Sequence, residues 1–342
     1  MKRKQSGFKI MMRLIKLVKP LAFFMVLAVI LGVTGFLCAI QITVLGSMTL
    51  LTAAGINGGL AIKTGCICII IFAVLRGFLH YGEQACNHYI AFKLLAIIRD
   101  KVFKSLRRLT PAKLEGKDKG NLISLITSDI ELLEVFYAHT ISPICIAFLT
   151  SLVMLIFIGR YSIWLMLVAL AAYITVGIII PLVSSKFNKN IGMTYRENSG
   201  SLSGYVLDSM RGLLESIRYN STDTRLNEMN EKTDELNSLQ KKLKKIEGRN
   251  ISITDISIIF FSITMLLVAI CLYQKGTIGF DGLIVSTVAM MSSFGPVAAL
   301  SNLAGNLTHT LASGERVLSI LDESPVVEEN ISGKEVEFDG ME

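Results

Sequence analysis

The sequence predicts an all-α membrane protein: six transmembrane helices with long cytoplasmic helical extensions. Three observations carry this reading. The 342 residues are 52% hydrophobic and only 18% charged, with a mean hydropathy of +0.56, more apolar than a chain with a fully aqueous surface sustains. Apolar stretches recur six times, at 21–45, 60–79, 141–158, 163–181, 253–273 and 283–303, each near the ~20 residues that cross a ~30 Å hydrocarbon core. Helical periodicity then continues past the second and fourth stretches into charged sequence. The net charge of +7 does not mark a nucleic-acid binder, because the Lys and Arg residues cluster beside the spans, where they set orientation. The six Cys lie mostly inside apolar runs and read as small hydrophobes, not as a disulfide or zinc framework.

At the N-terminus, residues 8–19 (FKIMMRLIKLVK) place apolar side chains at helical spacing with Arg13, Lys16 and Lys19 between them, and then meet Pro20. This predicts a short amphipathic helix, residues 1–20, on the inner leaflet; a disordered basic leader is the other reading. The first apolar run is longer than a signal-peptide core and no small-residue cleavage site follows it, so it is expected to stay as a span. Gly32, Gly35, Pro143, Gly177 and Pro296 interrupt the spans in ways that membrane helices tolerate. Lys2, Arg3, Lys4, Lys9, Arg13, Lys16 and Lys19 precede span one, whereas the opposite loops offer only Lys63, Arg160 and Lys275. Both termini are therefore expected in the cytoplasm, in a multi-pass membrane protein.

Two excursions, 81–139 and 184–251, separate spans two from three and four from five. The first keeps a helical pattern from Tyr81 through Leu109, breaks at Pro111 and Gly116 to Gly120, and resumes with Leu122, Ile126, Ile130, Leu133 and Phe136. The second breaks at Arg211 and Gly212 and resumes with Leu226, Met229, Thr233, Leu236, Leu239 and Leu243 among charges. Each is an outgoing helix, a tight turn and a returning helix. A helix from Leu60 to Leu109 would be about 75 Å long, far beyond the bilayer core. Paired turns held away from the membrane suit mechanical coupling to a soluble partner.

Residues 98–109 (IRDKVFKSLRRL), Pro111 and 120–136 (GNLISLITSDIELLEVF), then 206–225 (VLDSMRGLLESIRYNSTDTR) and 312–325 (ASGERVLSILDESP), resemble the two intracellular loops and the connector of the permease domain of ATP-binding-cassette exporters, of the six-helix multidrug and lipid-flippase type. The resemblance covers essentially the whole chain and implies the ABC exporter transmembrane domain fold over 21–321, with 322–342 as connector. It implies a second half-transporter, identical or different, with spans four and five of each crossing to the other. The turns at 112–121 and 212–221 would be coupling helices seated in an ATP-binding domain, with Lys113, Leu114, Glu115 and Gly116 in the first and Leu213, Leu214, Glu215 and Ser216 in the second. The remaining expected partners are membrane lipid and a small-molecule substrate. Pro325 to Glu328 and residues 208–220 are somewhat similar to transporters of amino acids or of cysteine and glutathione.

One departure matters for mechanism. No G-x-x-x-x-G-K-[ST] phosphate loop occurs; Gly333-Lys334 lacks the upstream Gly and the following Ser or Thr. This chain is expected to bind no cofactor itself, with ATP and Mg held by a nucleotide-binding domain supplied in cis by a longer protein or in trans by a separate chain.

Arg76, His80 and Glu83 fall at i, i+4 and i+7 of span two, on one helix face, with Gln84 and Asn87 a turn further in. Ionisable residues at membrane depth usually face a cavity, so this stripe is read as lining a central cavity for a polar or zwitterionic substrate. The alternative puts His80 and Glu83 at the inner interface, with Arg76 snorkelling or pairing with Glu83. Gln41 and Asn302 are further cavity candidates. Thr34, Ser257, Thr264 and Asn306 could also face the cavity, and most of these six polar points fit interhelical hydrogen bonds better. The histidines form no triad or metal constellation. The function expected is the permease half of an ATP-driven exporter; a membrane-embedded docking scaffold or regulator is the alternative. An intramembrane enzyme lacks paired carboxylates in the spans.

Overall fold

The computed structural model describes residues 7–56, 60–110 and 125–325. Their regular structure is helical throughout. Helix α1 (Gly7–Leu17) is amphipathic and ends before a 3-10 turn, Lys19–Leu21, where Pro20 has no N–H to continue the ladder. Then come α2 (Ala22–Ala53) and the uninterrupted α3 (Ile62–Leu109). After residue 125 lie α4 (Ile130–Phe136), α5 (Ser142–Gly159), α6 (Ile163–Ile174), α7 (Ile180–Arg211), the short α8 (Leu213–Arg218), α9 (Thr222–Gln274) and α10 (Phe280–Leu321). Ser162 starts α6, its hydroxyl accepting from the Trp164 N–H at 3.3 Å. Six of these helical stretches are long and apolar enough to cross a membrane.

Wide π-helical turns, absent from the sequence reading, interrupt this order at Leu125–Asp129, Tyr137–Ile141 and Thr175–Ile179. The last two stand directly before the prolines that open α5 and α7, Pro143 and Pro181. A proline removes one ladder hydrogen bond and its ring clashes with the carbonyl four residues back, and a widened turn accommodates both defects.

Two compact units share the chain. The larger comprises Leu21–Ile90 and Phe136–His309. Its core joins Ile40 of α2, Met154 of α5, Leu165 and Ala172 of α6, Met265 of α9 and Met290 and Phe294 of α10, all buried. The Tyr173 and Ser293 hydroxyls bond at 2.5 Å inside it. Helix α3 stays outside this core: only 6% of its apolar window is covered by the chain, against 56% of that in Phe280–Leu300. Ile67, Ile70, Val74 and Phe78 are exposed, as side chains are that meet lipid or another membrane helix. Beyond the apolar windows, polar pairs zip α7 to α9. The Tyr205 hydroxyl donates to Glu228 Oε2 at 2.7 Å, Arg225 Nη1 donates to Ser209 Oγ at 3.2 Å, and the Asn250 amide donates to the Ser184 hydroxyl. The Glu228 carboxylate holds the Tyr205 proton and raises its pKa.

The smaller unit comprises Met1–Pro20, Ala91–Val135 and Thr310–Glu342. Here Ile10 and Leu14 of α1 and Val18 just beyond it are buried, and Gly314 of α10 admits the Leu14 side chain: a Cβ at 314 would lie 2.8 Å from Leu14 Cδ1. Asp129 is buried; it accepts a hydrogen bond from Ser313 Oγ at 3.0 Å and forms an ion pair with Arg316, its Oδ2 lying 3.1 Å from Nε. Ser105 donates to the Ile320 carbonyl at 2.9 Å. Arg13 reaches both Asp322 oxygens, at 2.5 and 2.6 Å; the hydrogen bonding to Asp322 raises the guanidinium pKa further. Gly314→Leu is expected to destabilise this unit by about 1–3 kcal/mol through overpacking, seen as a lower melting temperature; an unchanged melt would show that Leu14 moves aside freely.

Candidate functional site

The residues singled out on α3 cluster, but unequally. Arg76 and His80 are exposed, Glu83 is 5% exposed, Asn87 is 2% exposed, and Gln84 is half-buried. Glu83 accepts from His80 Nδ1 at 3.0 Å and from Asn87 Nδ2 at 3.1 Å, one partner a turn on either side, as the i, i+3 and i, i+4 spacing allows. The pairing of Arg76 with Glu83 considered from the sequence is replaced by these two neighbours.

Helix α2 makes the burial possible. Gly32 presents only hydrogen to Ile146 of α5 and to Glu83, whose Cγ would lie 3.3 Å from a Cβ there. Any side chain at 32 would collide with Ile146. Between α2 and α3 remains a recess of about 70 Å³, lined by Leu31, Gly32, Gly35, Phe36, Arg76, His80 and Glu83. It offers one anionic wall, one cation at its rim and an apolar remainder, which suits a small polar group better than a bulky apolar one. Gly32→Leu is expected to fill this recess and separate α2 from α5, lowering stability by about 1–3 kcal/mol. Loss of both melting temperature and solute response would be the readout, and retention of both would remove Gly32 from the site.

Gln41 is half-buried on α2 and does not line the recess. The interhelical bonds expected of Thr34, Ser257 and Thr264 are corrected: each hydroxyl donates to its own helix, to the Ile30, Ile253 and Phe260 carbonyls at 2.7, 2.7 and 2.9 Å. In an apolar surrounding that carbonyl is the nearest acceptor. The side chains of Asn302 and Asn306 lie outside the described residues, as do Lys113, Leu114, Glu115 and Gly116 of the first turn.

The second turn is described. Gly212 breaks α7, its N–H still donating to the Asp208 carbonyl at 2.9 Å, and Asn220 closes the turn with φ 51°, a left-handed conformation that Asn adopts more readily than most residues. Between them α8 leaves Leu213 54%, Leu214 58% and Ile217 59% exposed, and Glu215 is exposed too. Ser216, by contrast, is buried and donates to the Gly212 carbonyl at 2.9 Å; it shapes the turn instead of offering a contact. Sequence reasoning missed the Asp129, Ser313 and Arg316 cluster and the edge-on ring pair His88 and His139. Neither has a local signal, because the partners lie far apart in the sequence.

Residues 21–297 match the ABC transporter transmembrane region. The chain belongs to this family. It is a multi-pass membrane protein carrying an ABC exporter transmembrane domain. It is 45% identical, over 94% of its length, to a probable ABC transporter ATP-binding/permease protein of Haemophilus influenzae, of which it covers 58%. It is 22% identical to the glutathione/L-cysteine transport system ATP-binding/permease protein CydC of the same organism, over 75% of this chain and 45% of that one. An ATP-dependent lipid A-core flippase of Shewanella frigidimarina is 29% identical over 36% of this chain and 20% of its own. The chain spans about half the length of the first two of these relatives.

Proposed function

We propose that this transmembrane domain pairs with a second half-transporter and exports a small polar solute by alternating access, driven by ATP hydrolysis on an ATP-binding domain attached in cis or in trans. Both termini and the turn carrying α8 face the cytoplasm of a bacterial cell, in its inner membrane, surrounded by lipid. ATP and Mg belong to the ATP-binding domain; no residue of this chain is assigned to them.

The observation that carries the reading is α8: three large apolar side chains, each more than half exposed, on a turn at the end of two helices that outrun the membrane. A contiguous exposed apolar patch marks an interaction surface, and an ATP-binding domain is the cover the family provides. The α3 stripe supplies the substrate side. An amino acid or a thiol such as cysteine or glutathione is the solute class favoured, on the name of the second relative and on the polar walls of the recess. A docking scaffold without transport would leave the stripe unused.

The test is reconstitution with the ATP-binding domain in liposomes, measuring ATP hydrolysis and ATP-dependent uptake into inside-out vesicles with amino acids, cysteine, glutathione and lipid. Stimulated hydrolysis with uptake of one of them is the expected result. Hydrolysis indifferent to every solute, with no uptake, would leave only the scaffold.

A further inference from the structure

We infer that Glu83 selects solutes bearing a protonated amine, with His80 holding the amine's place at the carboxylate and Arg76 screening out simple cations. The inference rests on the exporter reading above and assigns the solute's charge pattern to named residues.

The argument begins with charge. Glu83 is 5% exposed on a helix that crosses the membrane, where an anion without a fixed cation is costly. Its two partners are an imidazole N–H and a carboxamide, and among the described residues no fixed positive charge contacts it. Hydrogen-bond accounting points the same way. Because the Asn87 amide nitrogen faces the carboxylate, its Oδ1 turns away, and that oxygen is buried without a donor. Asn87 therefore offers the carboxylate a neutral donor only, and a primary ammonium in the recess supplies Glu83 with the missing positive charge and a charge-assisted donor.

Of the two groups now on Glu83, Asn87 is buried, whereas the His80 side chain is 64% exposed and belongs to the recess wall. His80 is thus the one that an incoming amine can displace. Arg76, exposed on the same wall, repels a bare monocation and favours a solute whose amine is accompanied by a carboxylate. Leu31 and Phe36 leave room for an apolar substituent. A bound water needs roughly 10–15 Å³ of such space, so the recess takes a head group and not a whole solute.

The test uses the full chain in lipid nanodiscs at neutral pH, with three probes of similar shape: L-leucine, 3-methylbutylamine, which lacks the carboxylate, and 4-methylpentanoate, which lacks the amine. Binding is read by equilibrium dialysis, and folding by the melting temperature without ligand. Wild type is expected to bind leucine best, the amine next and the acid least. Glu83→Gln should weaken leucine at least about tenfold, the loss of one charge-assisted contact, without lowering the melting temperature. His80→Ala, at an exposed side chain, should bind 3-methylbutylamine several-fold more tightly than wild type. Equal binding of leucine by wild type and Glu83→Gln overturns the inference, as does an acid bound as well as leucine, an amine bound no better by His80→Ala, or a wild type that binds none of the three. If the charge pattern holds but the reconstituted transporter moves no solute, the exporter reading falls while the amine site stands.

Discussion

Replacing Leu213 and Leu214 together by Asp is expected to abolish solute-stimulated ATP hydrolysis in the assembled transporter while α8 stays helical. Each leucine is more than half exposed, and covering the exposed part contributes roughly 1–1.5 kcal/mol, a little over half of what burying a whole leucine does. Two carboxylates in its place add the cost of desolvating charge, so a docking surface built on this turn loses its central contacts. The fold should tolerate the change, because more than half of each side chain already faces outward and acids are favourable in a first helical turn. Basal and stimulated hydrolysis, with circular dichroism as the control, decide the matter. Stimulation that survives the double substitution would detach α8 from the coupling route.

The second large effect concerns Asp129. Asp129→Ala is expected to destabilise the smaller unit by about 2–3 kcal/mol. Removing one partner of a buried pair costs about 3–5 kcal/mol, and the 45% exposure of the Arg316 side chain lets water recover part of that. Asp129→Asn keeps an acceptor for Ser313 and should lose about half as much. Thermal melting and protease cutting in the last turns of α10 would both report it. If the alanine variant melts with wild type and resists protease equally, the cluster contributes nothing to holding α10.

Much of this was legible beforehand, for identifiable reasons. Six apolar runs and a helical pattern unbroken from Tyr81 to Leu109 are local signals, and local signals are what a sequence displays. The Arg76, His80 and Glu83 stripe was visible because its members share one helix. Its internal wiring was not: Glu83 takes Asn87 rather than Arg76 because Gly32 brings α2 close enough to bury one end of the stripe and leave the other open. Asp129 with Ser313, and Arg13 with Asp322, join distant parts of the chain, and no periodicity announces such a pairing. Likewise Thr34, Ser257 and Thr264 look like interhelical glue by residue type, yet each hydroxyl finds its own backbone first.

The π turn at Thr175–Ile179 bears on how this chain is to be scanned. One residue more than a regular turn has been wound into the helix, so every position after it is rotated by about 100° relative to the face it would otherwise occupy. The buried positions record the slip: Leu165, Ala169, Ala172 and Val176 keep ordinary helical steps, and the next are Pro181 and Ser184 rather than Ile180. A cysteine-accessibility or tryptophan scan through this span will show two sinusoids out of phase by one residue. Fitted with a single period, such data would put the inward face of α7 on the wrong side.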